Sequence, residues 1–457
     1  MVHKSRGGDV LVTFPDSENI RHSPDYHLTV NGEPVFLYEF PGFAGGTVSV
    51  GYFDFTGSAR VEVKSNWRLD SASVRPLSAG IDAEVDSEAR TVSFTMDEPR
   101  NIFIKFNDSF MIPLYLFCAP PEEDAPSPGD ENVLYFGPGV HNIPMTDLKS
   151  GQTVYIAGGA FVNGTFRAID AENVTVRGRG IICTSHEPFG LHRPGGPMEV
   201  IGFVRCKNCA VDGITILDSF GWTLISYNCE DMLIKNVKIL NERPWSTDGI
   251  NPCNCRNFTV DGCFVRSKDD CISIKGLRAR DRQCDGRQPI ENITVKNCVF
   301  WSDNNNGVVV GSETLAEYIR SISFENCDFL KVSGTCGDVA GAMSIISLHD
   351  TQISDIIFKD IRVEHTEGPL FNFFYTNSIF RIPGERKPGG GNIRGIKAQN
   401  VSLSGGPMRW SYVSGMDADR MIEDVTFENL EIFGKRAGKP EDARIYINRH
   451  TKNIIVK

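Results

Sequence analysis

The chain has 457 residues, too many for one ordinary compact core, so it calls for two domains or an elongated repeat. Its 40% hydrophobic and 23% charged residues are those of a globular protein, and no run of 18 or more apolar residues offers a membrane span. A formal charge of -11 repels phosphate backbones and argues against a nucleic-acid partner; an acidic polysaccharide meets the same general repulsion.

The first residues, MVHKSRGGDVLVTF, carry some positive charge without an apolar h-region or a small-residue cleavage site. The expected location is therefore the cytoplasm, or the periplasm or exterior if a leader has been removed. Residues 1–120 then read as short alternating strands: Asp9 to Phe14, His27 to Val30, Val35 to Phe40, Thr47 to Phe55, Arg60 to Val63, Thr91 to Phe94, Ile102 to Phe106 and Ile112 to Phe117. Asn31-Gly32, between two of them, suits a tight hairpin. The expectation is an N-terminal antiparallel β-sandwich. The stretch CAPPEEDAPSPGDEN, rich in Pro and acids, places a linker at 121–132.

After the linker a repeat appears: two apolar residues flanking one other, a variable residue, then Asn, Gly or Asp. Its copies end at Gly178, Gly213, Asn236, Gly262, Asn297, Asn326, Asp360, Asn400 and Asn429, with a minimum spacing of 23 residues. No amphipathic helix long enough for a crossover intervenes, so each strand must stack on its own next copy. That predicts an all-β chain whose residues 133–457 form a right-handed parallel β-helix, with coils rising by about 4.8 Å. The recurring Asn should form an amide ladder at a turn, with Cys263, Cys298 and Cys327 stacked in the core. The other cysteines of the thirteen also read as buried free thiols, and the Cys253-x-Cys255 pair lacks the second pair of a zinc site.

Two acidic clusters interrupt the repeat: Trp245-Ser-Thr-Asp248-Gly-Ile and Ser267-Lys-Asp269-Asp270-Cys-Ile. Asp-Gly and Asp-Asp are also ordinary turn residues. Here, however, Asp248 and Asp269 are almost one bare coil apart, which puts them on adjacent coils of one face. Carboxylates that close repel, so one is kept protonated beside ionised neighbours. Glycoside hydrolysis needs that division, an acid for the leaving oxygen and a base for water.

STDGI (Ser246 to Ile250), KDDCISIK (Lys268 to Lys275) and NNGVVVGSE (Asn305 to Glu313) resemble the successive motifs of the polygalacturonase-like glycoside hydrolases, glycoside hydrolase family 28. The segment YFGPGVHNIP with SGQTVYIAGGAFVNGTF is similar to the helix entry of bacterial members, and the resemblance covers about 133 to 435. A sandwich ahead of the helix more loosely resembles the dextranase and isopullulanase relatives, family 49. The resemblance implies a poly- or oligosaccharide substrate, inversion, and neither metal nor cofactor. Position by position, it makes Asp269 the general acid and gives Asp248 and Asp270 the attacking water. Two departures bear on the sugar. Asn306 stands where the family has the histidine of Gly-His-Gly, and Ser344-Ile-Ile-Ser-Leu-His349 stands where it has Arg-Ile-Lys. Without those basic residues, unmodified galacturonan is not the expected substrate.

Asn306, Lys275, His349 and Trp222 are the candidate substrate-binding residues. Lys275 follows the acids at strand spacing, where a lysine also shields a ladder edge. Trp222 is placed for sugar stacking or for the core. His349 stands for the lost histidine or for an ordinary surface residue, and Arg278, Arg280, Arg282 and Arg287 for an anionic-sugar contact or a solvated loop. Two other classes remain in view. A β-helix polysaccharide lyase would use calcium and an arginine base, and a non-catalytic glycan-binding helix would use its acids only as turn residues.

Overall fold

Asn31 and Gly32 take φ values of 52° and 82°, the left-handed pair that a two-residue hairpin requires. Strand Tyr26–Val30 turns there into Glu33–Val35, with Val30 opposite Glu33. The computed structural model describes the chain except residues 5–7, 18–19, 42–46, 186–198, 244–245, 278–286, 336–339 and 377–390. Up to Ala119 the chain makes one seven-stranded and one five-stranded sheet. Strand Ala59–Ser65 alternates buried and exposed residues without a break, so Val61 and Val63 reach a core shared with Leu28, Phe53 and Phe94. All the expected strands are present, and Val2–Lys4, Ala72–Arg75 and Glu84–Asp86 add to them. One expectation is corrected. Thr47–Thr56 pairs in parallel with Ser109–Ala119, so the larger sheet is mixed. The intervening strands, most of them in the smaller sheet, supply the long crossover that a parallel pair needs.

From Val133 onward, nearly every strand pairs in parallel with its counterpart on the next coil, and the coil has three faces. The first face runs from Val133–Phe136 to Thr451–Val456. The second includes Ile181–Cys183, Lys238–Leu240, Phe264–Ser267 and Val299–Ser302. The third is a separate sheet of eleven strands, from Thr146–Leu148 to Ile445–Ile447. No helix among the described residues is long and apolar enough to cross a membrane.

The repeat's terminal residue has a local cause. At Gly178, Gly213, Asn236, Gly262, Asn297, Asn326, Asp360, Asn400 and Asn429, φ is positive. Gly and Asn bear that conformation at least cost. The amides then stack: Asn326 Nδ2 donates to Asn297 Oδ1 at 2.8 Å, and Asn429 Nδ2 to Asn400 Oδ1 at 2.8 Å. Cys263, Cys298 and Cys327 lie beneath them in the core. All eleven described cysteines are free and buried.

The sandwich packs on the second face. Tyr38, Tyr52, Phe103, Tyr115 and Phe117 share one apolar cluster with Phe161, Leu217, Leu240, Phe264 and Trp301. Polar bonds pin the seam: Arg179 Nε donates to Asp54 Oδ2 at 2.8 Å, and the Tyr52 hydroxyl accepts from the Gly159 N–H at 2.9 Å. Just past the sandwich, Pro120 O accepts from Arg179 Nη2 at 3.0 Å and the Glu122 carboxylate accepts from the Tyr155 hydroxyl of the first face at 2.8 Å.

Candidate active site

The register decides which acids meet. Ile250 pairs with Ile272, and Ile272 with Val308. Asp248 is therefore stacked on Asp270, Asp270 on Asn306, and Asp269 sits one residue off that column beside Asn305. All lie where the chain turns from the second face into the third. One carboxylate oxygen from each of Asp248, Asp269 and Asp270 lies within 4.8 Å of the others. Among the described residues this is the only cluster of His, Cys, Asp and Glu with that geometry. Asp248 is 1% and Asp270 6% exposed, and Asp269 alone is partly open.

Each carboxylate has its own support. Asp248 Oδ2 accepts from Asn251 Nδ2 at 2.7 Å and from Lys275 Nζ at 2.8 Å. Asp269 accepts from the Ser246 N–H at 2.7 Å on one oxygen and from Asn305 Nδ2 at 2.6 Å on the other. Asp270 Oδ1 accepts from both the N–H and the Nδ2 of Asn306, at 3.1 and 2.8 Å. Burial, then the Asp248 charge, pushes the Asp269 carboxyl up to about 6 against the lowering pull of Asn305 and Lys275. Burial and the charges of Asp269 and Asp248 hold Asp270 well above the ordinary carboxylate range. Three carboxylates this close do not all ionise, so the cluster retains a proton where isolated aspartates have lost theirs.

The four further candidates divide. Burial alone would strip the Lys275 ammonium, but Asp248, Glu313 and Asp270 outweigh it and keep the lysine charged. At 6% exposure it is no ladder-edge shield. Its Nζ lies 4.1 Å from the centre of the Trp222 ring, which is 8% exposed and packed with Ile225, Tyr227 and Cys253. Trp222 is thus a floor under the lysine rather than an open stacking surface. Asn306 is 3% exposed, and its amide is engaged on both sides. Nδ2 donates to Asp270 and Asn305, while Oδ1 accepts from the Gly341 N–H and the Ser344 hydroxyl. It positions Asp270 and is closed off from solvent. His349 follows the C-terminal end of strand Met343–Ser347, where its Nδ1 accepts from the Thr314 N–H at 3.1 Å. It thus sits at the opposite end of the third face from the aspartates and does not stand in for a histidine at Asp270. Arg287 reaches the Asp350 carboxylate at 3.8 Å. Arg278, Arg280 and Arg282, like Trp245, lie outside the described residues.

Several supporting residues were not singled out from the sequence: Asn251, Asn305 and Ser246 at the carboxylates, Ser344 behind Asn306, and a charged group behind them. In that group Arg266 contacts Glu242, Asp303 at 2.9 Å and the Tyr115 hydroxyl at 2.9 Å, and lies over the Trp301 ring. Lys268, next to Asp269, reaches Asp303 at 3.3 Å. Asn251 was findable as an amide on a strand next to an Asp-Gly turn. The Tyr115 contact was not, because it joins residues far apart in the chain.

The family model for glycosyl hydrolases family 28 matches residues 196–440, which contain all three aspartates and their supports. The chain belongs to that family. The probable exopolygalacturonase B of Emericella nidulans is 28% identical over 238 residues, 49% of this chain and 50% of that protein. The chain spans half or less of the length of the curated relatives it matches. The family 28 fold is shared with the polygalacturonase from Erwinia carotovora, at 16% identity and a TM-score of 0.52 over 70% of this chain and 86% of that one. Dex49A from Penicillium minioluteum aligns over 98% of this family 28 chain and 96% of its own, with a TM-score of 0.63 and 12% identity. That alignment takes in the sandwich as well as the helix.

Proposed function

We propose that this protein is an inverting glycoside hydrolase acting on a poly- or oligosaccharide, with Asp269 as general acid and Asp248 and Asp270 as the pair that holds and deprotonates water. The observation that carries it is the convergence of three carboxylates, one of them held near pH 6, at a turn of a family 28 helix. Asp269 is the most open of the three and keeps its proton into the weakly acidic range, as an acid for a leaving oxygen must. Asp248 and Asp270 are stacked on neighbouring coils. Two oxygens within 4.8 Å can accept both hydrogens of one water at the O–H···O length of about 2.8 Å. A water so bridged is polarised by two acceptors once Asp270 is ionised, the form that the Asn306 donors favour against burial and the neighbouring charges. The water's proton then has a site in the cluster. Lys275 donates to Asp248 Oδ2 at 2.8 Å and holds that carboxylate in place for this role. An inverting pair usually stands about 6.5–9.5 Å apart and a retaining pair about 5–5.5 Å, so the closeness of this cluster makes product stereochemistry the sharpest test of the mechanism.

The sugar is read from what no longer faces the cleft. Asn306 spends its amide on Asp270, Ser344 spends its hydroxyl on Asn306, and Lys275 spends its charge on Asp248. None of these is left for a uronate carboxylate, so plain galacturonan is disfavoured and a neutral or differently charged glycan is preferred. The experiment is a panel of plant and bacterial glycans assayed for new reducing ends, with Asp269→Asn as the blank and proton NMR of the first-formed product. The expected result is cleavage with the anomeric configuration opposite to that of the bond. Unsaturated, ultraviolet-absorbing products would make it a lyase, retention would make one aspartate a nucleophile, and efficient release of galacturonic acid from polygalacturonate would overturn the substrate inference.

A further inference from the structure

One outward row of the third face runs from the catalytic coils to the end of the helix. Register places Ser273 opposite Val309, then Ser344, Asn372, Tyr412 and Tyr446. The row starts at the site itself: Ser273 is three residues past Asp270 on its strand, and Ser344 donates to Asn306, which holds Asp270. As far as Asn372 every member is buried. The last two break that pattern, with Tyr412 41% and Tyr446 52% exposed. Trp410, 48% exposed, lies just ahead of strand Ser411–Ser414, two residues before Tyr412. Ser411 and Val413, between and beyond them, are buried on the inner side. The two tyrosine rings lie 6.1 Å apart at 67°, edge to face, instead of flat on one another as in a closed ladder.

Three large aromatics on one face, open to solvent and four and five coils from the catalytic turn, are not explained by packing. A core position would be covered, and a purely structural surface row would be polar. Flat aromatic faces tipped with a hydroxyl or an indole N–H suit the apolar C–H faces and rim hydroxyls of sugar rings. The row is also straight, because β-helix register keeps equivalent residues in line at about 4.8 Å per coil. Because the row is covered from Ser273 to Asn372, a long glycan engaged at the aspartates would not lie flat along it but would pass over that cover and meet these rings several sugar units away. We propose that Trp410, Tyr412 and Tyr446 form a remote binding platform for the same glycan chain whose bond is cleaved at the aspartates. This rests on the hydrolase reading above for the identity of the ligand, and adds that long chains are held at a second place.

The test separates binding from catalysis. Asp269→Asn protein is run on native gels containing polygalacturonate, xylan, dextran or arabinogalactan, alone and with Trp410→Ala, Tyr412→Ala and Tyr446→Ala together. Retardation by at least one polymer, weakened 5-fold or more by the triple change and kept by Tyr412→Phe and Tyr446→Phe, is the expected result. In the active protein the triple change should lower kcat/KM for the retarding polymer to a similar degree and leave a tri- or tetrasaccharide of the same sugar untouched. No retardation by any polymer, equal retardation with and without the aromatics, or equal loss on long and short substrates would overturn the platform. So would a dimer in sedimentation that the triple change dissociates, since the rings would then belong to a second copy of the chain. Polymer binding lost with the aromatics, with no reducing ends released by the active protein, would leave the platform standing and sink the hydrolase reading instead.

Discussion

The Lys275 ammonium lies 2.8 Å from Asp248 Oδ2, with the two side chains 7% and 2% exposed. A buried pair of this kind is costly to break from one side, because the remaining charge has neither water nor partner. Asp248→Ala should therefore lower the unfolding free energy by about 3–5 kcal/mol, besides abolishing turnover. Replacing both, as Asp248→Asn with Lys275→Met, should be far less destabilising than the sum of the single changes. Urea titration of the four proteins measures the coupling, and strict additivity would show that the pair is not energetically linked.

Asp270 should behave in the opposite way. Its carboxyl is raised in the folded protein, so the folded state holds a proton that the unfolded chain releases near pH 3.9. Stability from this group is whole below that pH and falls as pH rises toward the folded value. Asp270→Asn removes the penalty while keeping an oxygen for the Asn306 donors. The variant should unfold at a higher temperature than the parent at pH 7, and the difference should vanish near pH 3.5. A variant that is less stable at pH 7 would mean that the Asn306 hydrogen bonds outweigh the repulsion.

The Asp269 value of about 6 fixes the shape of the pH–rate profile. If Asp269 donates the proton, kcat/KM should fall tenfold per pH unit above about 6. Asp269→Asn should cost at least ~100-fold in kcat, or about 2.7 kcal/mol, and the residual activity should lose that limb. A substrate with an activated leaving group needs less acid help, so its loss should be smaller. Equal losses on good and poor leaving groups would move the acid role to another residue.

Asn306 is predicted to act on turnover rather than on sugar binding. Its donors favour the ionised form of Asp270, so Asn306→Ala should push that carboxyl further up and lower kcat by roughly tenfold. KM should hardly change, because the amide is buried and saturated. Steady-state kinetics on the best glycan decide the point, and a raised KM with kcat intact would show that Asn306 touches the sugar.

The sandwich should prove inseparable from the helix. Without it, residues 133–457 would expose Phe161, Leu217, Leu240, Phe264 and Trp301 as one apolar strip, and Arg266 would lose Tyr115. Expression of 133–457 alone should give aggregated protein, measured by light scattering against the full chain. In the full chain, Arg266→Ala should cost about 3–5 kcal/mol by stranding Glu242 and Asp303.

By itself the sequence determined the coil. The apolar-x-apolar pattern ending in Asn, Gly or Asp is a statement about backbone conformation, since those residues tolerate the left-handed turn found at every one of the nine copies. Stacking then follows, because a strand with no crossover helix can pair only with its own next copy. The three aspartates were legible for the same reason: acids near one coil apart must meet. Which pair stacks was decided only by tertiary structure. Coil lengths vary, and the column of Asp248, Asp270 and Asn306 is set by the pairing of Ile250, Ile272 and Val308. A one-residue slip in that pairing would put Asp269 on the column instead. The burial of Asn306, the engagement of Lys275, and the Tyr115 bond to Arg266 were likewise invisible in the sequence. They depend on which side chains of distant coils and of the sandwich arrive at one point, and local propensity carries no information about that meeting.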